Sequence, residues 1–555
     1  MRNQQKIITK SYISPNLIVF TASLITLLLT PWMNVDSLVV PKLAILFCVS
    51  SFIFPIILTK KINSLTIKLL YILLGLTFLQ MLLSTFMSNS PIEQQIFGRT
   101  GRGLGLIAYF SLFILIIASA KLFKHKDLSR IISGIVLTSL VSSLYSILQK
   151  FGFDITDWYT RTNGIIGTIG NPNFQSAFSG MALVPTVIFA YKNRSKSKYF
   201  SFILVLISLI TIYYTKSTQG YITSFISILS YILIFVWFKR KAIFRVFFPL
   251  SIASIVLIVL GIINKGPLAY FLYKVSIESR FEFWRTSWET TLDNPYFGVG
   301  IDSLGDYSRV YRSTKDSLGI NENFDNAHNY FLEAAATGGL PLAILNILFI
   351  IFTLVMFIKL QKNIGRFDVN SAGIFAIWLA FQSQSFISPG AIPLLTWNAV
   401  VSGSIFGAAL NSQTQKEPYL LGNQNNIKPE LNFFKPFSYI FLILSMILVY
   451  PYFKADKLQY DSFLKSDALL AVQAAKNYPE STVRYNQIGL ELLKSNLPEQ
   501  SLEVARSAIQ FNPNAITAWS LIYMNPKASE SERSRALLEI LRLDPNNKQL
   551  RAESK

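Results

Sequence analysis

Three features of the 555-residue chain point to an all-α, polytopic membrane helix bundle. The first is composition. Hydrophobic residues make up 51% and charged residues only 15%, against roughly 25% charged in a soluble chain, so most of the surface is not built for water. The second is patterning: apolar stretches of about 20 residues, the length a helix needs to cross the hydrocarbon layer, recur along the chain. The third is where the charges stand. The net charge is +21, and about 24 of the 51 Lys and Arg lie in short segments at 2–10, 60–68, 121–130, 192–198, 239–245, 359–366 and 416–435. These segments occupy every second loop, the bias that keeps basic loops cytoplasmic. The basicity is therefore a topology signal and not a nucleic-acid footprint. A single cysteine, Cys48, in an apolar run excludes an internal disulfide and a cysteine-based zinc site.

About 12–13 spans follow, near 14–33, 39–58, 67–87, 104–120, 131–149, 173–191, 199–215, 220–238, 246–263, 339–358, 372–388, 392–410 and 437–453. No small-residue cleavage site follows the first, which reads as a span and not a signal peptide. With the basic loops inside, the segments at about 150–172 and 264–338 and the tail after 453 lie outside. The break Ser388-Pro389-Gly390-Ala391-Ile392-Pro393 reads as a tight hairpin or a re-entrant kink, and the side of the tail depends on it. The organisation is 1–90 amino-terminal spans, 91–410 a core that includes the outer loop 264–338, 411–453 a linker with the last span, and 454–555 a tail.

The tail has a different composition, with about 14 basic and 12 acidic residues. Pro479, Pro513 and Pro545 recur at spacings of 34 and 32, each after a short helical pattern and in Asn-Tyr-Pro, Asn-Pro-Asn or Asp-Pro-Asn contexts. A period near 34 that ends in Asp/Asn-Pro predicts tetratricopeptide-like helix pairs. Such pairs stack into a concave surface suited to a protein partner.

The spans are read as free of Asp, Glu, Lys and Arg. Ion-coupled pumps keep counter-charges at membrane depth, so this pattern argues against one and moves any chemistry to the loops. The outer loop holds one of the two histidines, His328, beside Asn326 and Asn329. An imidazole with an ordinary pKa near 6.5, at an aqueous–lipid boundary, suits a general base. His125 sits in a Lys-rich inner loop and reads as solvated. Arg280, Trp284 and Trp288 share a helix face that fits the headgroup level, whereas Arg285, four residues before Glu289, has a partner at hand. Arg99, Arg102 and Lys216 are cations on the outer side, where the topology bias disfavours them. A lipid phosphate or diphosphate would account for them, since guanidinium matches it bidentately. Gly170-Asn171-Pro172-Asn173 opens a span as a capped helix start and turns helix N–H groups outward, which suits an anion. The loops carry no Asp-x-Asp pair, and no metal site or cofactor is expected.

On Gly170-Asn-Pro-Asn173, Ser279-Arg280 … Trp284 … Asn294-Pro295 … Gly298-Val-Gly300, and Ala327-His328-Asn329 … Leu332-Glu333 with Gly338-Gly339-Leu340-Pro341, the chain resembles the O-antigen ligase, O-antigen polymerase and O-oligosaccharyltransferase superfamily. The resemblance spans about 90–410. It implies a metal-independent transferase of the bacterial cytoplasmic membrane. Such an enzyme moves a glycan from a polyprenyl-diphosphate carrier to an acceptor hydroxyl of a glycan, lipid or protein on the outer face. It also implies His328 as the base and Arg280 as the diphosphate ligand, the two catalytic residues. Arg99, Arg102, Arg285, Lys216, Asn171, Asn173 and Asn329 are further substrate-binding candidates. Where relatives have Ser-Arg-Gly, this chain reads Lys216-Ser-Thr-Gln219-Gly220. Two alternatives stand beside this one: a transporter of the inorganic-carbon type, and a scaffold whose tail recruits a glycan-assembly machine.

Overall fold

The computed structural model describes residues 14–59, 64–156, 158, 164–192, 198–273, 275–312, 324–414 and 435–547. The basic segment 2–10 and most of 416–435 lie outside them. The chain runs through α1 (Pro15–Leu27), α2 (Val40–Thr59), α3 (Leu65–Met87), the short α4 (Ile92–Phe97), α5 (Leu106–Leu122), α6 (Leu128–Lys150), α7 (Pro172–Lys192), α8 (Lys198–Thr215), α9 (Gln219–Lys239) and α10 (Lys241–Ile262). The long loop carries α11 (Ala269–Leu272) and α12 (Val275–Asp293), and α13 (Tyr330–Ile364), α14 (Val369–Ser385), α15 (Ile392–Thr414) and α16 (Lys435–Lys465) follow. Among the described residues there is no strand, as expected where lipid leaves each backbone N–H to be satisfied within its own segment.

Nine of these helices are long and apolar enough to span a membrane, and Pro15–Leu27, Leu106–Leu122 and Phe202–Thr215 are shorter apolar ones. α14 keeps Gln382 and Gln384 buried inside the bundle. α5, α7, α14 and α15 form the centre, α15 lying along α5 and α7 along α9. Backbones approach closely at the first of these contacts. A methyl group on Gly403 or Gly407 would meet the carbonyl oxygen of Ile116 or Phe123 at 2.3 or 2.5 Å, the small-residue packing expected where lipid supplies no hydrophobic drive between helices. Rows such as Leu69-Ile72-Leu76-Leu79 on α3 and Ile344-Ile347-Ile351-Val355 on α13 face outward, which is stable only against hydrocarbon.

The loops sort to two ends, as the alternating charge predicts. At one end Lys121 Nζ donates to the Ile57 carbonyl at 2.6 Å, and His125 meets Asp368 at 3.0 Å, so this imidazole is paired and not merely solvated. At the other end Gly101 N–H donates to Asp36, Arg99 N–H to Asp302 and Ser217 to Asn173. The Ser388–Gly390 turn joins the same end, beside His328, so α14 and α15 are a hairpin.

α13 is interrupted at Gly339, whose φ of 78° and ψ of 169° are non-helical. The break frees carbonyls, and the loop after α12 takes them up: Val299 and Gly300 N–H donate to Ala336 and Thr337 at 2.9 and 3.0 Å. Gln80 and Ser84 of α3 reach Gly338 and Thr337 at 2.9 and 2.7 Å. Irregular backbone is thus admitted at this depth because protein groups satisfy it.

The last span does not stop at 453: α16 continues unbroken to Lys465. Beyond it, α17 (Ala468–Ala475), α18 (Thr482–Lys494), α19 (Pro498–Phe511), α20 (Ile516–Met524) and α21 (Glu530–Leu543) pack on two small apolar cores. Pro479, Pro513 and Pro545 follow α17, α19 and α21, where a missing N–H ends helices.

Two lysines depart from the charge-free reading of the spans, Lys42 in the second and the exposed Lys68 in the third. Lys42, in the first turn of α2, is 1% exposed, and its ammonium donates to the Thr168 carbonyl at 2.5 Å. It is a buried tie between α2 and the loop before α7, not a headgroup anchor.

Candidate active site

The half-helix before the α13 break begins at a side-chain cap. Asn329 Oδ1 accepts from Phe331 and Leu332 N–H at 2.9 and 3.1 Å, while its Nδ2 donates to the Phe386 carbonyl at 3.1 Å. All of its polar atoms are engaged in building the helix start, and it does not line the cleft described below. His328, one residue earlier, has a φ of +47°, a conformation that a non-glycine residue holds only when its surroundings impose it. Its N–H donates to Asn326 Oδ1 at 2.9 Å. Its ring stacks on Phe283 of α12 with centroids 5.3 Å apart and planes at 27°. Nδ1 is buried and has no hydrogen-bond partner among the described residues. Burial first, then the charge of Arg280, pushes the imidazole down from 6.5 to about 4, with Asp325 pulling the other way. At neutral pH it is an uncharged acceptor.

His328 lines a cleft of about 410 Å³ at the loop end of the bundle. Asp325, Asn326 and His328 contribute to its lining from the α13 side, Asp36 to Val39 and Gly101-Arg102 from the first loops, and Ile169 to Phe174 from the start of α7; 388–393 complete it. Asn171 caps α7, its Oδ1 accepting from Asn173 N–H at 2.8 Å. Asn173 Oδ1 accepts from Ser217 at 2.7 Å, which draws the turn containing Lys216 to the same place. Lys216 itself is exposed with a φ of +56°. The structure thus brings His328, Asn171, Asn173 and Arg102 onto one cavity.

The arginines differ in company. Arg102 Nη1 donates to Glu333 at 2.9 Å and to the Asp325 carbonyl at 2.7 Å, and its Nε lies 3.2 Å from Asp302. Arg99 pairs with Asp306 at 2.6 Å. Arg285 bonds Glu282 and Glu289 on its own helix and the Tyr311 carbonyl at 3.0 Å, away from the cleft. Arg280 is half-buried, has no carboxylate partner among the described residues, and is near enough to His328 for its charge to act there. Burial lowers the pKa of its guanidinium.

Sequence reading passed over three groups. Asp36 sits in the cleft, its oxygens accepting from Gly101 and Val39 N–H at 2.9 and 3.0 Å. Burial and the neighbouring Asp456 push its carboxyl up to about 6. Its signal was an acid between the first two spans. Lys42 was visible as an ionisable residue inside a span. Phe283, the plate under His328, has no signal beyond lying three residues after Arg280.

A neutral imidazole whose Nδ1 has no hydrogen-bond partner among the described residues, a guanidinium nearby with no carboxylate among them, and the capped start of α7 at the cavity can deprotonate a hydroxyl and hold an anion. Among the described residues no group of three or more His, Cys, Asp or Glu is placed to hold a metal ion. A protein of Haemophilus influenzae (strain ATCC 51907 / DSM 11121 / KW20 / Rd), described as uncharacterized, is 23% identical over 316 residues, covering 52% of this chain and 77% of its own. Residues 202–347, which take in α8 to α10, the loop with Arg280 and His328 and the broken start of α13, match the family model of the O-antigen ligases, and this supports placing the chain in the ligase and polymerase superfamily.

Proposed function

We propose that the protein transfers a glycan from a polyprenyl-diphosphate carrier to an acceptor hydroxyl, at the outer face of the cytoplasmic membrane, without a metal ion. The ligase-family match supports a membrane glycan ligase or polymerase. The observation that carries the finer reading is the juxtaposition of His328 with Arg280: among the described residues, a buried Nδ1 without a hydrogen-bond partner near a cation without a carboxylate. His328 accepts the proton of the acceptor hydroxyl as its oxygen attacks the anomeric carbon. The bond from that carbon to the diphosphate oxygen breaks, and the polyprenyl diphosphate leaves with the electron pair, its charge held by Arg280. A positioned base is worth about 10²–10⁴-fold, and a preorganised cation acts where charge develops. The basic end of the bundle faces the cytoplasm, which puts the cleft, the 264–338 loop and the tail outside.

The test measures polyprenyl-diphosphate-linked glycan extracted from cells that carry the wild type, a deletion or His328→Ala. Accumulation of the lipid-linked donor in both altered strains, with the variant protein at wild-type level in membranes, is the expected result. An unchanged donor pool in the deletion strain removes the proposal.

A further inference from the structure

The tail was expected to offer a surface to a partner. Its contacts also tie it to the loops at the cleft and to the 302–312 loop, whose carboxylates bind Arg99 and Arg102. On α16, Asp456 Oδ2 accepts from Asn34 Nδ2 at 2.9 Å and its Oδ1 from Asp36 N–H at 3.1 Å; Asp36 is the cleft acid whose own carboxylate holds Gly101, next to Arg102. Asn512, after α19, donates to Asp306 Oδ2 at 3.0 Å, the carboxylate that also binds Arg99. Asp544, after α21, is fully buried and binds Arg312 at 2.7 Å and Arg309 at 3.5 Å, while Asn546 donates to the Arg312 carbonyl at 2.5 Å. Tyr452 stacks on Phe97 with centroids 5.3 Å apart, and Thr100 and Ser481 share a hydrogen bond of 2.7 Å.

We infer that the carboxy-terminal helical unit is a positioning element of the transfer site, in which Asp456 holds the 34–36 loop directly and Asn512 and Asp544 hold the 302–312 loop, whose Asp302 and Asp306 fix the 99–103 turn that lines the cleft. This inference rests on the proposed transfer activity. Asn34, Asp456, Asn512, Asp544 and Arg312 are buried polar or charged residues, and each of the three tail groups is hydrogen-bonded to a loop group. Two of the loop groups, Asp36 and Asp306, bind in turn to the glycine-arginine turn at 98–103. Charged hydrogen bonds of this kind fix geometry more strictly than apolar contact does. Because α16 is one helix from the bundle to Lys465, the unit is set on a stiff stem, which a recruiting arm on a flexible tether would not need.

The experiment uses the full chain with Asp544→Asn, Asp544→Glu, Asn512→Ala or Asp456→Asn. Three quantities are read: the lipid-linked glycan pool of the host cells, the protein level in membranes, and amide exchange across 298–312 in the purified protein. Asp544→Asn, Asn512→Ala and Asp456→Asn are expected to raise the donor pool severalfold at unchanged protein level, and Asp544→Asn to speed exchange at 302–312 about tenfold or more. Asp544→Glu, which keeps the charge, restores part of both. Faster exchange with an unchanged donor pool overturns the inference, as does unchanged exchange. If Asp544→Asn is degraded, Asn512→Ala, which removes the bond to Asp306 together with those to Thr482 and Asn514 N–H, is read in the same way. His328→Ala runs in parallel: if it too leaves the pool unchanged, the transfer proposal has failed, and if it raises the pool while the tail variants do not, only the positioning role has.

Discussion

Replacing Arg280 with glutamine separates two effects that one guanidinium exerts on the cleft. His328 is held at about 4 instead of 6.5, on the order of 3 kcal/mol in favour of the neutral imidazole. Burial is the larger cause and Arg280 the next, with Asp325 opposing both. Without Arg280 burial remains and Asp325 pulls less opposed, so the pKa rises. The same substitution removes charge-assisted contacts to a diphosphate, each worth about 1.5–3 kcal/mol, a loss of roughly 10- to 100-fold at every pH. The assay is the pH dependence of kcat/KM for turnover of lipid-linked glycan extracted from the host, since this ratio reports the free enzyme. The wild type should show its acidic limb near 4 and a flat profile through neutrality, and Arg280→Gln a lower curve with the limb displaced upward. A wild-type limb near 6.5, or a lowered curve with an unmoved limb, refutes the electrostatic argument. Stability carries the same sign. The unfolded imidazole takes up its proton first as pH falls, so up to about 3 kcal/mol present above pH 6.5 is lost between about 6.5 and 4, visible as a falling Tm.

Arg102→Ala leaves Asp302 and Glu333 buried without their cation and should destabilise the chain by about 3–5 kcal/mol, read as loss of folded protein in membranes. Arg285→Gln should cost no more than about 1 kcal/mol and leave the donor pool at wild-type level, because Arg285 is occupied by Glu282 and Glu289. Asn329→Ala removes the α13 cap and should lower stability by about 1 kcal/mol, seen as a shift in Tm of the purified protein. Gly339→Ala forces a methyl group to within 2.3 Å of the Tyr296 carbonyl oxygen at a φ of +78°. Strain alone costs about 1–3 kcal/mol there, so chain turnover should rise and the donor pool with it.

The bundle was legible because lipid reduces the folding problem to one dimension: where water is absent, an apolar run of sufficient length is a helix, and the basic loops order the ends. The cap at Asn171 was legible too, since asparagine at a helix start leaves a local mark, whereas Asn329, read as a substrate-binding candidate, caps α13, and the break at Gly339 falls at the edge of a span read as continuous. What stayed hidden was pairing between distant segments. Nothing near Arg102 in the sequence announces Asp302 or Glu333, about 200 residues away, and nothing near Asn34 announces Asp456. A lysine near the end of a span also passes for an anchor, so the burial of Lys42 became visible only once the loop before α7 was seen to close over it.

Those distant pairs decide which cation can serve a leaving diphosphate. Arginines on the outer side of a membrane protein oppose the insertion bias, and each calls for a counter-charge. For Arg99 the counter-charge is Asp306, and for Arg102 it is Asp302 and Glu333. A phosphate brought to either would meet those carboxylates at close range, and like charges in a poorly screened site repel. Arg280 has no such neighbour among the described residues, and its charge is felt at His328. Asp36 and Asp325, which also line the cleft, repel an anion and attract a hydroxyl. The cavity is therefore polarised, with carboxylates among its lining groups and a free guanidinium near the imidazole. On the proposed chemistry the diphosphate settles towards Arg280, the acceptor hydroxyl sits among Asp36, Asp325 and His328, and the anomeric carbon lies between them, which is the alignment that displacement requires.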